Sequence, residues 1–225
     1  MDYLTTSENL ILLTGGNVIN HRYVTQFGVM MISKTQDFIP DEIAQAFNLS
    51  TEQKGMELNA KLTYLNSKAT SADYVENIFR VRGEKSIANN IHIGFIIAGI
   101  KEETVLELTS STANISRQTT SKTRSAIDML YVIQDESDIP YIEEFLNLRE
   151  TWKSRFSLTP QKNYTLERAN EFNLCTKAMS IIMSMSLQDW SNYLSRKINT
   201  GYEYEFEKVC IEIQRQLCEL YPDFF

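Results

Sequence analysis

Histidine, proline and glycine are scarce in this sequence, and each shortage excludes a class of structure or chemistry. Among its 225 residues are 2 His, 4 Pro and 8 Gly. The two histidines, His21 and His92, lie far apart in the sequence, so neither a histidine-based metal site nor a catalytic triad is expected. So few prolines and glycines leave little room for a flexible linker. We therefore expect a single domain over residues 1–225.

Positive charge and long apolar runs are lacking as well. The chain has 22 Lys and Arg against 29 Asp and Glu, which gives a formal net charge of −7. Because a protein that binds duplex nucleic acid needs a dense basic surface, no such partner is expected. No apolar run is long enough to span a membrane, and the N-terminus lacks the pattern of a signal peptide.

Cysteine is rare too, and several common catalytic motifs are missing. The three cysteines, Cys175, Cys210 and Cys218, form no CxxC pair. An odd, widely spaced set is typical of a reducing compartment, so we expect a cytoplasmic protein. The sequence contains no GxGxxG, GxxxxGK[ST] or GxSxG motif. Its usage of Asn, Ile, Lys and Ser is typical of an AT-rich genome, such as that of a virus.

The apolar pattern predicts a mixture of helices and strands, and therefore an α+β fold. In the first half, short strands are predicted at Leu10–Leu13 and Gln26–Ile32. Pro40, followed by two acidic residues, predicts the start of a helix. Ser50 and Ser71 are candidate caps of two further helices. The apolar, β-rich run Ile91–Ile100 predicts a buried strand.

In the second half, helices are predicted at Glu102–Leu108 and Ile139–Phe156, with a polar loop, Thr109–Thr123, between them. Leu174–Met185 is predicted to be a core strand, with its methionines as core residues. Ser186 is predicted to cap a helix that ends near Ile198. A final helix is predicted over Tyr202–Tyr221. Its inner face is expected to comprise Phe206, Val209, Cys210, Ile213, Leu217 and Leu220.

Three segments, in this order, resemble the flavin-dependent thymidylate synthases (ThyX type). The first runs from Gly83 to Gly99; Gly83, Ser86, Phe95 and Gly99 match the family, whereas its two histidines and its glutamate are missing. In the second, Glu107-Leu108-Thr109 falls where the family often has Glu/Gln-Leu-x. The family's Arg-His-Arg triplet comes next, and here it is replaced by Ser110-Ser111-Thr112.

The family's next motif, Ser-x-Asn-Glu/Gln-x-Ser-x-Arg, falls on residues 115–122. In one register Gln118, Thr120 and Lys122 are its conservative replacements. A shift by one residue instead pairs Ser116 and Ser121 with the family's serines, and both registers stay open. The third segment, residues 184–225, resembles the family's last motif and its long final helix at Ser184, Ser186, Gln188, Arg196-Lys197 and Glu205.

The resemblance implies a central, mostly antiparallel sheet flanked by helices, with a long C-terminal helix. It implies an enzyme that transfers a methylene group from methylenetetrahydrofolate to dUMP, or to a related nucleotide. FAD reduces the transferred group in that family, and NADPH recharges the flavin. The family works as a homotetramer with active sites between subunits.

The resemblance also implies site residues. The positions that correspond to FAD-binding ones are Ser86, Ser110, Ser111, Thr112, Gln118, Gln188 and Asn192. Those that correspond to substrate-binding ones are Glu107, Thr120, Ser121, Lys122, Arg168 and Lys197. Lys197, helped by Arg196, stands where the family has the catalytic arginine that polarises the pyrimidine. Hydroxyls and a cation are the groups that a phosphate needs, and residues 120–122 supply them.

The altered triplet leaves three hypotheses open. Serine lacks the bidentate, permanently charged fork of arginine, so the replacement favours weak catalysis. The protein is an active, divergent synthase, or a non-catalytic or repurposed homologue that binds a nucleotide or regulates a partner, or an unrelated α+β interaction protein. A polar stretch such as 120–122 also occurs in plain loops, and Arg196-Lys197 also suits the negative end of a helix dipole.

Overall fold

The fold, taken from a computed structural model, is α+β, as the sequence predicts. The structure describes residues 3–34, 39–49, 56–58, 61–62, 85–110, 114–118, 129–156, 176–198, 205–222 and 224–225. The helices are α1 (Tyr3–Leu13), α2 (Asp41–Ala46), α3 (Glu102–Leu108), α4 (Ile139–Phe156), α5 (Leu187–Lys197) and α6 (Glu205–Leu220), with 3-10 helices at Lys85–Ala88 and Glu136–Asp138. The strands are β1 (Asn17–Ile19), β2 (Tyr23–Gln26), β3 (Gly28–Lys34), β4 (His92–Ile100), β5 (Asn114–Gln118), β6 (Tyr131–Val132) and β7 (Met179–Ser186).

The chain divides into two compact units. The first unit is Met1–Met30 with Ile96–Ile182, and the second unit is Met31–Phe95 with Met183–Phe225. The prediction of a single domain over 1–225 stays a prediction. Among the described residues, no helix is long and apolar enough to cross a membrane.

A three-stranded sheet, in the order β1-β2-β6, organises the first unit. Strand β1 pairs antiparallel with β2, and β2 pairs parallel with β6. The turn between β1 and β2 has positive φ at both Asn20 and His21, as tight hairpin turns require. One face of the sheet packs against α4 in a buried cluster of Tyr23, Met129, Tyr131, Ile133, Ile142 and Leu146. A second buried cluster comprises Ile11, Val24, Ala98, Leu130 and Val132.

The prediction of a strand at Leu10–Leu13 is wrong, because these residues form the end of α1. Ile11 is buried, whereas Leu12 and Leu13 are exposed. A run of four apolar residues does not distinguish a helix from a strand, and the first part of α1 is polar. The Thr14 hydroxyl, 2.9 Å from the Leu10 carbonyl, closes the helix by donating to its last turn.

A four-stranded sheet follows the order β3-β4-β7-β5. Strands β4 and β7 run antiparallel, since the Leu187 amide after β7 bonds the Ile91 carbonyl before β4 at 2.7 Å, and Gly94 lies beside the Met183 carbonyl. The polar loop predicted over 109–123 contains the strand β5. Local polarity concealed this strand, because its place at the edge of the sheet depends on tertiary pairing.

Several other predictions are confirmed. Helix α2 begins after Pro40, β4 covers the predicted buried strand, and β7 buries Met179, Met183 and Met185. Helix α6 is the predicted long C-terminal helix, although residues 199–204 before it are outside the described part of the chain. On its inner face Val209, Cys210, Ile213 and Leu217 are buried, whereas Leu220 is exposed. Leu220 is the last residue of the helix, beyond the buried part of its inner face. The caps predicted at Ser50 and Ser71 lie outside the described residues.

A buried ion pair closes the end of α2 in the second unit. The side chains of Lys61 and Glu57 are 0% exposed, and the Lys61 ammonium lies 2.8 Å from the Glu57 carboxylate. The same ammonium donates hydrogen bonds to the carbonyls of Phe47 and Asn48 at 2.8 and 2.9 Å. These carbonyls follow the helix end, so Lys61 acts as a buried cap for this turn.

We expect Lys61→Met to lower the free energy of unfolding by about 3–5 kcal/mol, because it leaves the Glu57 carboxylate buried without a counter-ion. Urea unfolding followed by circular dichroism measures the change. The double variant Glu57→Leu with Lys61→Met removes both charges and should recover most of that loss. Equal losses in the single and the double variant would contradict the ion pair as the cause.

Candidate functional site

Helix α5 contains four of the predicted ligand-binding residues: Gln188, Asn192, Arg196 and Lys197. The helix begins at the predicted cap, because the Ser186 hydroxyl accepts a hydrogen bond from the Asp189 amide at 3.1 Å. The same hydroxyl lies 2.7 Å from the Asp189 carboxylate and donates to it. The 2.7 Å bond from the Leu187 amide to the Ile91 carbonyl attaches this end of the helix to the beginning of β4.

The side chain of Trp190 attaches the middle of α5 to β4. It is fully buried, and its indole N–H donates a 2.9 Å hydrogen bond to the Ile93 carbonyl. Its ring meets Phe95 edge-on with centroids 5.3 Å apart, and meets Tyr193 edge-on at 6.0 Å. Edge-to-face contacts at these distances are favourable for aromatic pairs. Aromatic packing and a directional hydrogen bond therefore both hold this side of α5 against β4.

The opposite side of α5 is polar. Gln188, Asn192 and Arg196 are four residues apart, so they share one helical face, here named the polar stripe. Successive residues of a helix are about 100° apart, so Asn192, at the centre of this stripe, lies about 160° from Trp190 around the helix axis. Gln188 is half-buried, and the other two are exposed. The stripe therefore presents two amides and a guanidinium away from β4.

Lys197 lies on a different side of α5 from its neighbour Arg196. It follows Trp190 by seven residues and therefore lies only about 20° from it around the axis. The Lys197 ammonium is 5.7 Å from the ring centroid of Phe206 on α6, within cation–π range. The structure thus separates the two predicted catalytic cations. Arg196 belongs to the polar stripe, and Lys197 belongs to the contact with α6.

The α5–α6 contact is well buried next to Lys197. Cys210, on the inner face of α6, is fully buried. Burial raises the pKa of the Cys210 thiol to about 12, while the charge of Lys197 acts in the opposite direction. The raised pKa keeps the Cys210 thiol protonated at neutral pH.

The predicted flavin contact Ser86 lies in the second unit, as α5 does. It belongs to the 3-10 helix Lys85–Ala88, which packs against α5. Ala88 is fully buried, whereas Ser86 is exposed. The structure therefore brings the segment that contains Ser86 beside the helix that contains the polar stripe.

The first unit holds three other predicted residues, Glu107, Ser110 and Gln118. Glu107 and Ser110 are exposed at the end of α3. The Ser110 hydroxyl donates a 2.7 Å hydrogen bond to the Glu107 carbonyl and so satisfies one of the carbonyls that a helix end leaves open. Gln118 is the last residue of β5. Ser110 thus has a local structural role at the position where the resembling family has arginine.

The remaining predicted site residues lie outside the described residues. They are Ser111, Thr112, Thr120, Ser121, Lys122 and Arg168. Their roles stay predictions, and so does the register of the 115–122 segment.

A group of polar side chains in the first unit, of which Tyr23, Tyr131 and Arg149 are buried, was not expected from the sequence. The Tyr23 hydroxyl donates to the Glu143 carboxylate; burial and then this bond raise the pKa of Tyr23 to about 12. Burial also raises the pKa of Tyr131 to about 12, against the opposing effect of Arg149 and Arg22. Burial lowers the pKa of the Arg149 guanidinium. The side chains of this group come from β2 and the turn before it, from β6 and from α4, and no sequence spacing brings them together.

Comparison with known proteins supports the fold but not a sequence family. No protein-family model and no curated protein matches the sequence. The structure is similar to the UMP/dUMP methylase PolB from Streptomyces cacaoi bound with 5-Br UMP, with a TM-score of 0.60 and 10% identity over 90% of this chain and 93% of that one. The same methylase bound with 5-Br dUMP gives a TM-score of 0.61, with 10% identity over 90% of this chain and 94% of that one.

The structure is also similar to the flavin-dependent thymidylate synthase ThyX from Helicobacter pylori, complexed with FAD and dUMP. The TM-score is 0.61, with 12% identity over 88% of this chain and 97% of that one. At such low identity these similarities show the fold alone. It is the fold that the sequence resemblance implies.

We expect the contact between Lys197 and Phe206 to contribute about 0.5–1 kcal/mol to the free energy of unfolding, which is typical of a cation–π pair that water still reaches. A double-mutant cycle with Lys197→Met and Phe206→Leu, measured by urea unfolding, gives this coupling energy. Arg196→Met combined with Phe206→Leu is the matched control and should show no coupling. Additive effects of Lys197→Met and Phe206→Leu would contradict the contact.

Cys210 should resist thiol reagents in the native protein. With a pKa of about 12, only about one thiol in ten thousand is ionised at pH 8, and reactivity falls with the thiolate fraction. Cys218 is half-buried and should react first. Labelling in a Cys175→Ser background, followed by peptide mass analysis, measures both rates, with the urea-unfolded protein as control. Rapid native labelling of Cys210 would show that the α5–α6 contact opens.

Proposed function

We propose that this protein is a flavin-dependent enzyme of the thymidylate synthase type, which methylates dUMP to dTMP with methylenetetrahydrofolate and FAD. The observation that supports this most is the similarity of fold. It extends over 88% of this chain with a synthase complexed with FAD and dUMP, and over 90% with a methylase bound to bromouridine nucleotides. In this proposal NADPH recharges the flavin.

The polar stripe fits the hydrogen-bonding needs of a flavin ring. The ring's pyrimidine edge alternates carbonyl acceptors with an N–H donor, and each amide of Gln188 and Asn192 offers both a donor and an acceptor. Ser86 adds an exposed hydroxyl on the segment packed against α5. When bound, the flavin supplies the electrons that reduce the transferred one-carbon group. The residues of the chain bind and orient it.

The nucleotide requires cations and acceptors. Arg196 is exposed and permanently charged, so it suits an anionic group of a ligand on the stripe. The exposed carboxylate of Glu107 suits a substrate N–H or hydroxyl. Thr120, Ser121, Lys122 and Arg168 are proposed to bind the phosphate. Lys197 is proposed to polarise the pyrimidine, which requires its ammonium to reach the substrate as well as the Phe206 ring.

A second candidate is a homologue that binds a nucleotide without ordinary catalysis, as a structural or regulatory subunit. The Ser110 hydroxyl favours it, because at this position of the altered triplet the side chain bonds the end of α3. A charged hydrogen bond contributes about 1.5–3 kcal/mol, so replacing the triplet's arginines weakens ligand binding substantially. The two candidates differ in flavin retention.

A homotetramer in the cytoplasm completes the proposal. The outer face of α4 supports the oligomer, because Tyr141 and Leu148 lie on it seven residues apart and are 74% and 57% exposed. Exposed apolar side chains on one helical face are typical of subunit contacts. Native mass spectrometry measures the subunit number.

The proposal is tested by titrating the purified protein with FAD, with and without dUMP, and following flavin absorbance and fluorescence. We expect FAD to bind at micromolar concentrations and dUMP to tighten the binding, because in this proposal the two ligands are used together in one reaction. Conversion of labelled dUMP to dTMP is then assayed directly. Binding of dUMP without flavin uptake or conversion favours the second candidate, and a colourless protein that ignores both ligands contradicts both.

A variant pair assigns the binding to α5. Arg196→Ala should weaken ligand binding about tenfold or more, since it removes a charge-assisted hydrogen bond. Lys208→Ala removes an exposed positive charge from α6 and should leave binding unchanged. Equal effects of the two substitutions would indicate general electrostatic attraction rather than a site on the stripe.

A further inference from the structure

We propose that Trp190 is a positioning residue, whose indole N–H sets the rotation of α5 and thereby the direction of the polar stripe. The inference rests on the proposed function for the identity of the ligand, a flavin or a uridine nucleotide. Trp190 itself is fully buried on the opposite side of the helix, so it would not touch a ligand bound to the stripe. Its effect is transmitted through the helix backbone.

Apolar packing alone would leave the rotation of α5 loosely defined. The hydrophobic effect has no preferred direction, whereas a hydrogen bond weakens steeply as its angle departs from linear. Two bonds attach α5 to the start of β4: Leu187 N–H to the carbonyl of Ile91, just before the strand, at 2.7 Å, and the indole N–H to the carbonyl of Ile93, in the strand, at 2.9 Å. The first lies on the backbone at the helix start. The second lies one turn later, on a side chain, and resists rotation about the axis.

A small rotation would matter at the stripe. Side chains reach about 5–6 Å from the helix axis, so a rotation of about 20° moves their ends by about 2 Å. Hydrogen bonds to a ligand do not survive such a displacement. Asn192 and Arg196 are exposed, whereas Trp190 is fully buried. Their direction therefore depends on the buried side of the helix.

The aromatic partners show why the N–H is the decisive group. Phe95 and Tyr193 meet the Trp190 ring edge-on, a contact that a phenylalanine ring at position 190 would largely keep. A phenylalanine, however, has no donor for the Ile93 carbonyl. Trp190→Phe therefore removes the directional bond and retains most of the apolar packing.

The test compares Trp190→Phe with wild type by hydrogen exchange and by FAD and dUMP titration. We expect amides 191–197 of α5 to exchange about tenfold faster while those of β4 keep their protection, because the helix gains rotational freedom. Ligand affinity should fall about tenfold or more at a temperature where both proteins are folded. Site-specific 3-benzothienylalanine at position 190, which has the shape of tryptophan without the N–H, should give the same result if the phenylalanine variant folds poorly.

Ile213→Val is the matched control, since it trims a fully buried residue of α6 in the same unit and leaves the Trp190 bond intact. It should lower stability without changing exchange in α5 or ligand affinity. Unchanged exchange in both Trp190 variants, or an equal loss of affinity in Ile213→Val, would overturn the inference. If wild type binds neither ligand, the proposed function fails, and the exchange of α5 alone decides whether Trp190 fixes the helix.

Discussion

An indole N–H buried in an apolar interior needs an acceptor, and that of Trp190 has the Ile93 carbonyl at 2.9 Å. Much of the second unit depends on this bond. Helix α5 follows β7 directly, so its axis is fixed at one end by the Ser186 cap and along its length by Trp190. Both α6 and the 3-10 helix Lys85–Ala88 pack against α5. The polar stripe faces away from β4 because Trp190 faces toward it.

Two other buried polar side chains follow the same rule, one in each unit. Lys61 is buried together with the carboxylate of Glu57 and with two carbonyls at the end of α2. Tyr23 is buried with the Glu143 carboxylate as its acceptor. Because an unpaired buried charge or donor is costly, each of these groups fixes its partners more narrowly than apolar contacts would. Apolar faces alone would allow a helix or strand to pack in several orientations. Directional hydrogen bonds select one of these orientations.

Long elements with strong periodicity were predictable from the sequence, and short elements that depend on distant partners were not. Strand β4, helix α4 and the cap at Ser186 follow from apolar runs and a capping residue. By contrast, β5 is polar and depends on sheet pairing, and α1 ends in a run of four apolar residues that suits either a strand or a helix. At the site, sequence resemblance suggested Arg196 and Lys197 as one catalytic group. Helical geometry places them about 100° apart on α5, so only one of them belongs to the polar stripe.

The fold and the candidate site depend on different physical properties of the chain. A fold depends on the pattern and volume of buried side chains, which many sequences satisfy, so it persists at 10–12% identity. Recognition of a nucleotide depends on a few charged groups in fixed directions, and each substitution there is felt separately. In the described part of the chain, the amides of the stripe and Arg196 remain directed away from the core, while Ser110 bonds the end of α3 and Lys197 faces an aromatic ring. Of the proposed site's cations in the described part of the chain, Arg196 lies on the stripe and Lys197 does not, so a ligand bound to the stripe would depend on Arg196 for positive charge.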